Sequence, residues 1–151
     1  MRQKLCLVAS SGGHLLELVS LRAAWEDHER FWVTFPTDDA RALLEGEQVR
    51  WAYSPTNRNL KNLAKNLGLA WRVLRTERPT AVISTGAGVA VPFLWMGRLF
   101  GIRTIYIESL ARIETLSLSG KLVYPWVHRF FVQWPDLVTR HPKAVYGGRV
   151  V

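Results

Sequence analysis

Three short stretches of the chain combine small or hydroxyl-bearing residues with an ionisable side chain. Residues 10–14 (Ser-Ser-Gly-Gly-His) and 85–88 (Thr-Gly-Ala-Gly) each follow an apolar run, and Glu108 with Ser109 follows a third. Glycines after a buried strand permit a tight turn and let an anion approach the N–H groups of the next helix. Histidine and glutamate are common general bases. The sequence therefore predicts an anion-binding site with a proton acceptor, His14 or Glu108.

Each stretch also has a simpler explanation, and the sequence leaves these open. A plain tight turn accounts for the glycines of residues 10–14, and a lone histidine is often structural. Close packing of a helix on a strand also requires small residues, as in 85–88. A carboxylate at the end of an apolar strand is costly unless it is solvated, paired or used, and Arg112 is a plausible salt-bridge partner for Glu108.

The apolar runs alternate with helical patterns along the whole chain. The predicted strands are 5–9, 31–35, 49–53, 81–84, 104–107, 130–133 and a short seventh at 144–146, and the predicted helices are 14–25, 38–44, 59–77, 89–100 and 119–129. This alternation predicts an α/β fold of one domain, 1–151, with a Rossmann-like, mostly parallel sheet and helices on both faces. In the usual strand order 3-2-1-4-5, the crevice lies between strands one and four. Because the two glycine stretches end those strands, we expect the site there.

Composition narrows the classes of partner. The chain has a formal net charge of +8 and a pI of about 10.3, which favours a nucleic acid, a phosphorylated ligand or an anionic membrane. It has no G-x-G-x-x-G or Walker A motif and no nucleic-acid-binding motif. The one cysteine, Cys6, excludes an internal disulfide and a cysteine zinc cluster, so we predict no metal and no cofactor. Without a secretory signal or an 18-residue apolar run, the cytoplasm is the expected compartment.

The stretch 57–78 predicts a basic amphipathic helix. Its apolar residues recur at helical spacing: Leu60, Leu63, Leu67, Trp71 and Leu74. Six basic residues, Arg58, Lys61, Lys65, Arg72, Arg75 and Arg78, stand against a single acid, Glu77. Such a helix suits an anionic membrane, and we expect Lys61, Lys65, Trp71, Arg72 and Arg75 to contact it. The aromatic run 92–103 is a second candidate. A core-packed helix with a solvated basic face is the alternative.

The stretch of the chain that is most characteristic of one protein family is residues 107–135, IESLARIETLSLSGKLVYPWVHRFFVQWP. This block, with LVASSGGHLLEL at 7–18 and ISTGAGVAVP at 83–92, closely resembles the PssD family of bacterial polysaccharide-biosynthesis proteins, which is homologous to eukaryotic Alg14. The resemblance covers nearly the whole chain. More remotely, residues 12–14 and 85–88 resemble the glycine loops of MurG.

The resemblance implies the N-terminal half of a split GT-B glycosyltransferase. A separate PssE- or Alg13-like chain would bind the UDP-sugar, and the acceptor would be an isoprenoid-diphosphate-linked sugar used in exopolysaccharide or capsule synthesis. Together with the loops, it predicts that the acceptor and its diphosphate are bound by Ser10, Ser11, Gly12, Gly13, Thr85, Gly86, Gly88, Ser109 and Arg112. The chain is expected to attach peripherally to the cytoplasmic face of the plasma (inner) membrane. Tyr124, Trp126 and Trp134 are candidates for a partner-facing surface, with core burial as the competing fate.

Two other classes of function remain as alternatives. A self-sufficient nucleotide-binding Rossmann enzyme would bind a nucleotide tightly without a second chain. A nucleic-acid-binding module is suggested only by the charge, so we expect no nucleic-acid partner.

Overall fold

The computed structural model describes residues 3–150, which form a seven-stranded sheet flanked by helices. The strands are β1 (Lys4–Ala9), β2 (Glu29–Thr34), β3 (Val49–Trp51), β4 (Ala81–Gly86), β5 (Arg103–Ile107), β6 (Arg129–Val132) and β7 (Ala144–Tyr146). The helices are α1 (Gly13–Ser20), α2 (Arg22–Trp25), α3 (Asp38–Leu43), α4 (Leu60–Glu77), α5 (Ala90–Leu99), α6 (Leu118–Val123) and α7 (Asp136–Arg140).

The strand order is β3-β2-β1-β4-β5-β6-β7, and every neighbouring pair is parallel. This confirms the predicted Rossmann-like sheet and the order of its first five strands. β1 and β4 are adjacent, and the chain leaves them in opposite lateral directions. The carboxyl ends of these strands therefore meet where the crevice was expected.

The sheet is covered on both faces, and β1 shows why its sequence is continuously apolar. Cys6 and Val8 pack into one buried cluster with α4 and α5, whereas Leu5 and Leu7 pack into a second cluster with α1. Successive side chains of a strand point to opposite faces, so a strand between two helical layers has to be apolar at every position. The layer on one face is α1–α3, and α4–α6 cover the other.

Two predicted helices differ from those in the structure. The helix predicted at 14–25 is broken at Leu21, and the turn brings the buried Trp25 to donate its indole N–H to the Leu18 carbonyl at 3.0 Å. The helix predicted at 119–129 was wrong at its C-terminus: α6 ends at Val123. Tyr124 precedes Pro125, which disfavours further helix, and its ring packs edge-on to a core phenylalanine of β6.

The short helix α7 was not predicted. Its five residues follow Pro135, and a segment of that length is too short to show a helical period.

The face that α4 buries overlaps only in part with its predicted leucine stripe. Its buried residues are Asn62, Asn66, Leu69, Ala70, Val73 and Leu74, whereas Leu60 is 80% exposed and Trp71 48% exposed. The amide of Asn66 exchanges two hydrogen bonds with the backbone of Tyr53, at 2.9 and 3.0 Å, and Asn62 donates to the Pro55 carbonyl at 2.7 Å. The asparagines thus fasten the β3–α4 loop to the helix. The leucine stripe is left partly open to solvent.

The two helical layers carry opposite charge. Residues 17–47, which include most of α1 and all of α2 and α3, contain eight Asp or Glu and three Lys or Arg. Residues 48–107, which include α4 and α5, contain nine Lys or Arg and one acid, Glu77. That acid is bound by Lys4 and Arg50 at the sheet, so the outer face of α4 and α5 is uniformly basic.

None of the helices within residues 3–150 has both the length and the apolar character needed to cross a membrane.

Candidate active site

The loops after β1 and β4 are joined directly through Ser10. Its backbone N–H donates to the Gly86 carbonyl at 2.8 Å, and its hydroxyl accepts the backbone N–H of Ala87 at 3.0 Å. Ser10 is buried, so these bonds fix the separation of the two loops. The two glycine stretches therefore form one surface at the carboxyl edge of the sheet.

His14, at the start of α1, is held by Thr85 at the end of β4. The Thr85 hydroxyl donates to the His14 carbonyl at 2.5 Å, and His14 Nδ1 lies 3.0 Å from the Thr85 carbonyl oxygen. A carbonyl oxygen only accepts, so Nδ1 carries the hydrogen in this arrangement. In the neutral imidazole Nε2 then has a free lone pair. The partly exposed ring is thus oriented as a proton acceptor.

The glycines of the second loop permit this close approach. Gly86 has a φ of +108°, and a Cβ built on it would lie 3.0 Å from His14 Nδ1. A Cβ on Gly88 would lie 2.6 Å from the Thr56 hydroxyl, in the β3–α4 loop. The packing explanation therefore accounts for both glycines: Gly86 packs against His14 of α1, and Gly88 packs against Thr56 of the β3–α4 loop. The predicted binder Thr85 is itself buried, with its polar groups bonded to His14.

Two helices begin at this surface without a side-chain cap. Neither α1 nor α5 has a capping hydrogen bond from the preceding residue's side chain. Uncapped first-turn N–H groups favour a bound anion. Ser11, Gly12 and Gly13 are partly or fully exposed around the start of α1.

Asp39 already satisfies one of these donors. Its carboxylate accepts the Gly12 N–H at 3.0 Å. Hydrogen bonds from the Thr37 side chain and then from the Gly12 backbone hold the pKa of Asp39 below its ordinary value. The Gly12 N–H is therefore already satisfied, and a carboxylate that stays ionised lies beside the start of α1. Asp39 was not predicted as a site residue, although it lies in the first turn of α3, which follows β2 at the same sheet edge.

Glu108 follows β5 but is only 1% exposed. Its carboxylate accepts the backbone N–H of Ser117 at 2.8 Å, the Ser117 hydroxyl at 3.0 Å and the backbone N–H of Ser109 at 3.0 Å. A Cβ on Gly120 would overlap the carboxylate. Ser117 in turn caps α6 by accepting the Gly120 N–H at 2.9 Å. The carboxylate thus fastens the N-terminus of α6 to the end of β5.

The salt bridge between Arg112 and Glu108, which was the alternative explanation for this carboxylate, is not among the ion pairs of residues 3–150. The Arg112 guanidinium donates instead to the Leu116 carbonyl at 3.1 Å. Its Nε is buried without a protein partner in this part of the chain. Arg112 therefore stays a predicted acceptor-binding residue that no carboxylate neutralises here.

The network around Ser109 contains two residues that sequence reasoning missed. Glu17 lies one turn after His14 on α1, and its carboxylate accepts the Gln133 amide at 3.2 Å and contacts the Ser109 hydroxyl at 3.4 Å. The buried Gln133 also donates to the Glu108 carbonyl at 3.0 Å. Glu17 lies in the stretch 7–18 and Gln133 in the stretch 107–135, both of which carry the family resemblance. Only the fold shows that α1, β5 and β6 converge. The network sets the position of the Ser109 loop relative to His14.

The remaining predicted residues lie along α4 and around α6 and β6. Lys61, Lys65, Trp71, Arg72 and Arg75 are all exposed along α4. Tyr124 and Trp134 pack partly against the core, and Trp134 donates its indole N–H to the Leu110 carbonyl at 2.6 Å. Trp126 is 55% exposed. Of the three partner-surface candidates it has the most free area.

A family model described as "Oligosaccharide biosynthesis protein Alg14 like" matches residues 54–150. The chain belongs to the Alg14-like family. A similar human protein, "UDP-N-acetylglucosamine transferase subunit ALG14", is 30% identical over 176 aligned residues, covering 96% of this chain and 82% of the human one. This confirms the resemblance predicted from the motifs.

Two solved bacterial proteins share the fold of this chain. Acinetobacter baumannii MurG superposes with a TM-score of 0.74 at 17% identity, over 89% of this Alg14-like chain and 42% of MurG. S. aureus MnaA, solved with UDP, superposes with a TM-score of 0.78 at 12% identity, over 98% of this chain and 45% of MnaA. The chain thus spans less than half of each of these proteins. The likeness at this identity concerns the fold.

Proposed function

We propose that this chain is the acceptor-side subunit of a two-chain glycosyltransferase. Membership of the Alg14-like family supports the transferase, because its human relative is named as a UDP-N-acetylglucosamine transferase subunit. The donor is a UDP-sugar held by a PssE- or Alg13-like partner, and the acceptor is an isoprenoid-diphosphate-linked sugar. In a bacterium this reaction would serve exopolysaccharide or capsule synthesis.

The orientation of His14 is the observation that carries the proposal. Glycosyl transfer needs a base for the acceptor hydroxyl and a fixed position for the acceptor. With Nδ1 bonded to the Thr85 carbonyl, Nε2 accepts the proton as the hydroxyl oxygen attacks the anomeric carbon and the bond to the nucleoside diphosphate breaks. The diphosphate of the acceptor lies against the first turns of α1 and α5 and the glycine loops, with Ser109 and Arg112 on the far side.

Glu108 has a positioning role in this proposal. Both carboxylate oxygens are engaged by donors of this chain, and the residue is buried. A base has to reach its proton directly or through one water. Glu108 instead fixes α6 and the Ser109 loop, whose residues border the acceptor.

The basic face of α4 and α5 is the proposed membrane surface. It combines exposed Lys61, Lys65, Arg72 and Arg75 with exposed apolar side chains such as Trp71. Cations near an anionic bilayer each contribute about 1 kcal/mol, and apolar side chains add to this. A peripheral contact through this face, at the cytoplasmic side of the plasma membrane, would bring a lipid-linked acceptor to the adjacent sheet edge.

The test of the proposal is an assay of this chain, its partner and the pair. Each is incubated with a set of UDP-sugars and a prenyl-diphosphate-linked sugar, and transfer is followed by mass spectrometry of the lipid product. We expect turnover only in the pair, because the pair brings acceptor and donor sites together. Robust transfer by this chain without a partner, or tight binding of a nucleotide to it, would instead support a self-sufficient nucleotide-binding enzyme.

A further inference from the structure

A groove opens between the N-terminal ends of α4, α5 and α6. It has a volume of about 490 Å³, within the range on the order of 300–1,000 Å³ that is usual for ligand pockets. Its walls are mainly apolar and include Leu60, Leu63, Val91, Leu118 and Leu122. Leu60 is 80% exposed, and Leu118 and Leu122 are exposed as well. A continuous apolar wall of this kind on a surface marks a binding site.

One end of the groove is the second glycine loop. Gly88 and Thr56 line it, and Gly88 belongs to the loop that is joined to β1 and His14 through Ser10. The groove therefore begins at the surface proposed for the diphosphate. A ligand with an anionic group and an apolar chain could place the anionic group at the loops and the chain in the groove. Its chain would not have to pass through the protein core.

The groove lies among basic and uncharged residues. The walls come from α4, α5 and α6, whose sequences contain a single acid, Glu77, at the distant C-terminus of α4. Arg58 and Asn59 lie at the rim. A cationic, acid-free rim favours an anionic ligand or an anionic membrane. An acidic protein segment would also suit the charge, but it would not need the connection to the diphosphate loop.

We infer that this groove binds the apolar chain of a lipid diphosphate, with the carbons nearest the diphosphate at Gly88 and the rest of the chain leaving over Leu118 and Leu122. The inference rests on the proposed function, since it takes the diphosphate-bearing acceptor from it. Burial of apolar chain against these leucines is favourable in proportion to the area removed from water. The groove then selects acceptors by their lipid, in addition to their sugar.

Two prenyl diphosphates of different length test the groove without donor or partner. Farnesyl diphosphate and isopentenyl diphosphate are titrated into the full chain in vesicle-free buffer below the micellar concentration, with inorganic diphosphate as the reference. We expect farnesyl diphosphate to bind at least about tenfold more tightly than isopentenyl diphosphate, because its extra carbons enter the groove.

The double variant Leu118→Gln/Leu122→Gln changes two exposed groove residues and should fold normally. We expect it to reduce the chain-length preference to less than about threefold while binding of inorganic diphosphate is unchanged. The matched control Leu43→Gln/Leu99→Gln changes two leucines of similar exposure outside the groove. It should keep the full preference.

Several results would overturn the inference. They are no preference in the wild-type chain, a preference that the groove variant retains, or an equal loss in the control, which would indicate adsorption to exposed leucines in general. A groove variant that keeps the preference but no longer assembles with the partner would assign the groove to that partner.

The outcome is separable from that of the transferase assay. A pair that transfers no sugar, combined with a groove-dependent chain-length preference, would contradict the proposed function and retain the groove. An active pair with no chain-length preference would support the proposed function and contradict the binding of a lipid chain in the groove.

Discussion

At the level of single residues, the site depends on which polar groups the fold has already used. His14 and Glu108 were equivalent candidates in sequence, since each follows a strand at the same sheet edge. In the structure the carboxylate of Glu108 is fully engaged and buried, whereas only one ring nitrogen of His14 is bonded. The two residues should therefore respond differently to substitution.

His14→Ala should lower turnover of the assembled pair by roughly 10²–10⁴, the usual range for loss of a general base. Loss of the hydrogen bond to Thr85 should lower the free energy of unfolding by only about 0.5–1.5 kcal/mol. Steady-state kinetics at saturating substrates and urea unfolding measure the two effects. Ser20→Ala, which removes an exposed hydroxyl at the other end of the same helix, is the control for a general disturbance. Turnover close to wild type in His14→Ala would remove His14 as the base.

Glu108→Gln should act mainly on stability. In the variant, the amide NH₂ group would face donors from Ser109 or Ser117 that bind a carboxylate oxygen in the wild type. At least one buried donor would then have no acceptor. We expect the free energy of unfolding to fall by about 1–3 kcal/mol. Urea denaturation checks this, with the exposed Glu114→Gln as control. A variant of unchanged stability with turnover reduced more than about 100-fold would return Glu108 to a direct chemical role.

At the level of secondary-structure elements, Glu77 connects the C-terminus of α4 to the sheet. Its carboxylate binds Lys4 of β1 at 2.8 Å and also binds Arg50 of β3. These hydrogen bonds, first from Lys4 and then from Arg50, hold the pKa of Glu77 below its ordinary value of 4.5. A carboxyl whose folded-state pKa is lowered stabilises the protein above its unfolded-state pKa. That stabilisation is lost as the pH falls through the folded-state value.

Glu77→Gln should therefore lower the free energy of unfolding by about 1–2 kcal/mol at pH 7. The difference from wild type should shrink as the pH falls below about 4.5. Urea unfolding at pH 7 and at pH 3.5 measures it. Glu26→Gln breaks the more exposed pair with Arg22 on α2, and there we expect less than about 0.5 kcal/mol. An equal effect of the two variants at pH 7 would contradict a special role of Glu77 in docking α4.

At the level of the whole molecule, the two layers of helices give the protein a charge asymmetry across the sheet. The α1–α3 side is acidic, and the α4–α5 side is basic with exposed leucines and tryptophan. An anionic membrane should orient such a molecule with its basic side facing the bilayer. In that orientation the proposed site at the sheet edge would lie beside the bilayer surface, within reach of the proposed lipid-linked acceptor.

Vesicle sedimentation tests this orientation. Wild type should bind anionic vesicles in a salt-sensitive way and bind neutral ones hardly at all. Lys61→Glu/Lys65→Glu should lower the anionic partition coefficient by at least about 30-fold, since each cation contributes about 1 kcal/mol. Arg22→Glu/Arg41→Glu makes the same change in net charge on the opposite layer and should have a much smaller effect. Equal losses in both variants would show that only net charge matters.

The sequence alone predicted the Rossmann-like sheet and the family, and both are confirmed; it also predicted the sheet edge at which we propose the site. Parallel strands buried on two faces are recognisable by continuous apolar runs, and glycines after β1 and β4 mark the strand ends where ligands bind. These features are local, so they are visible in the chain itself.

Only the tertiary structure decided how the individual side chains are used. Asn62 and Asn66 take the buried side of α4 because they bond the backbone of a loop. Part of the most regular leucine stripe, including Leu60 and Trp71, therefore came to be exposed to solvent. Likewise, the carboxylate of Glu108 is occupied by hydrogen bonds from Ser117, nine residues away. The tautomer of His14 is set by its contact with the Thr85 carbonyl on β4. Such hydrogen bonds join residues whose distance apart is set by folding, and no pattern along the chain carries them.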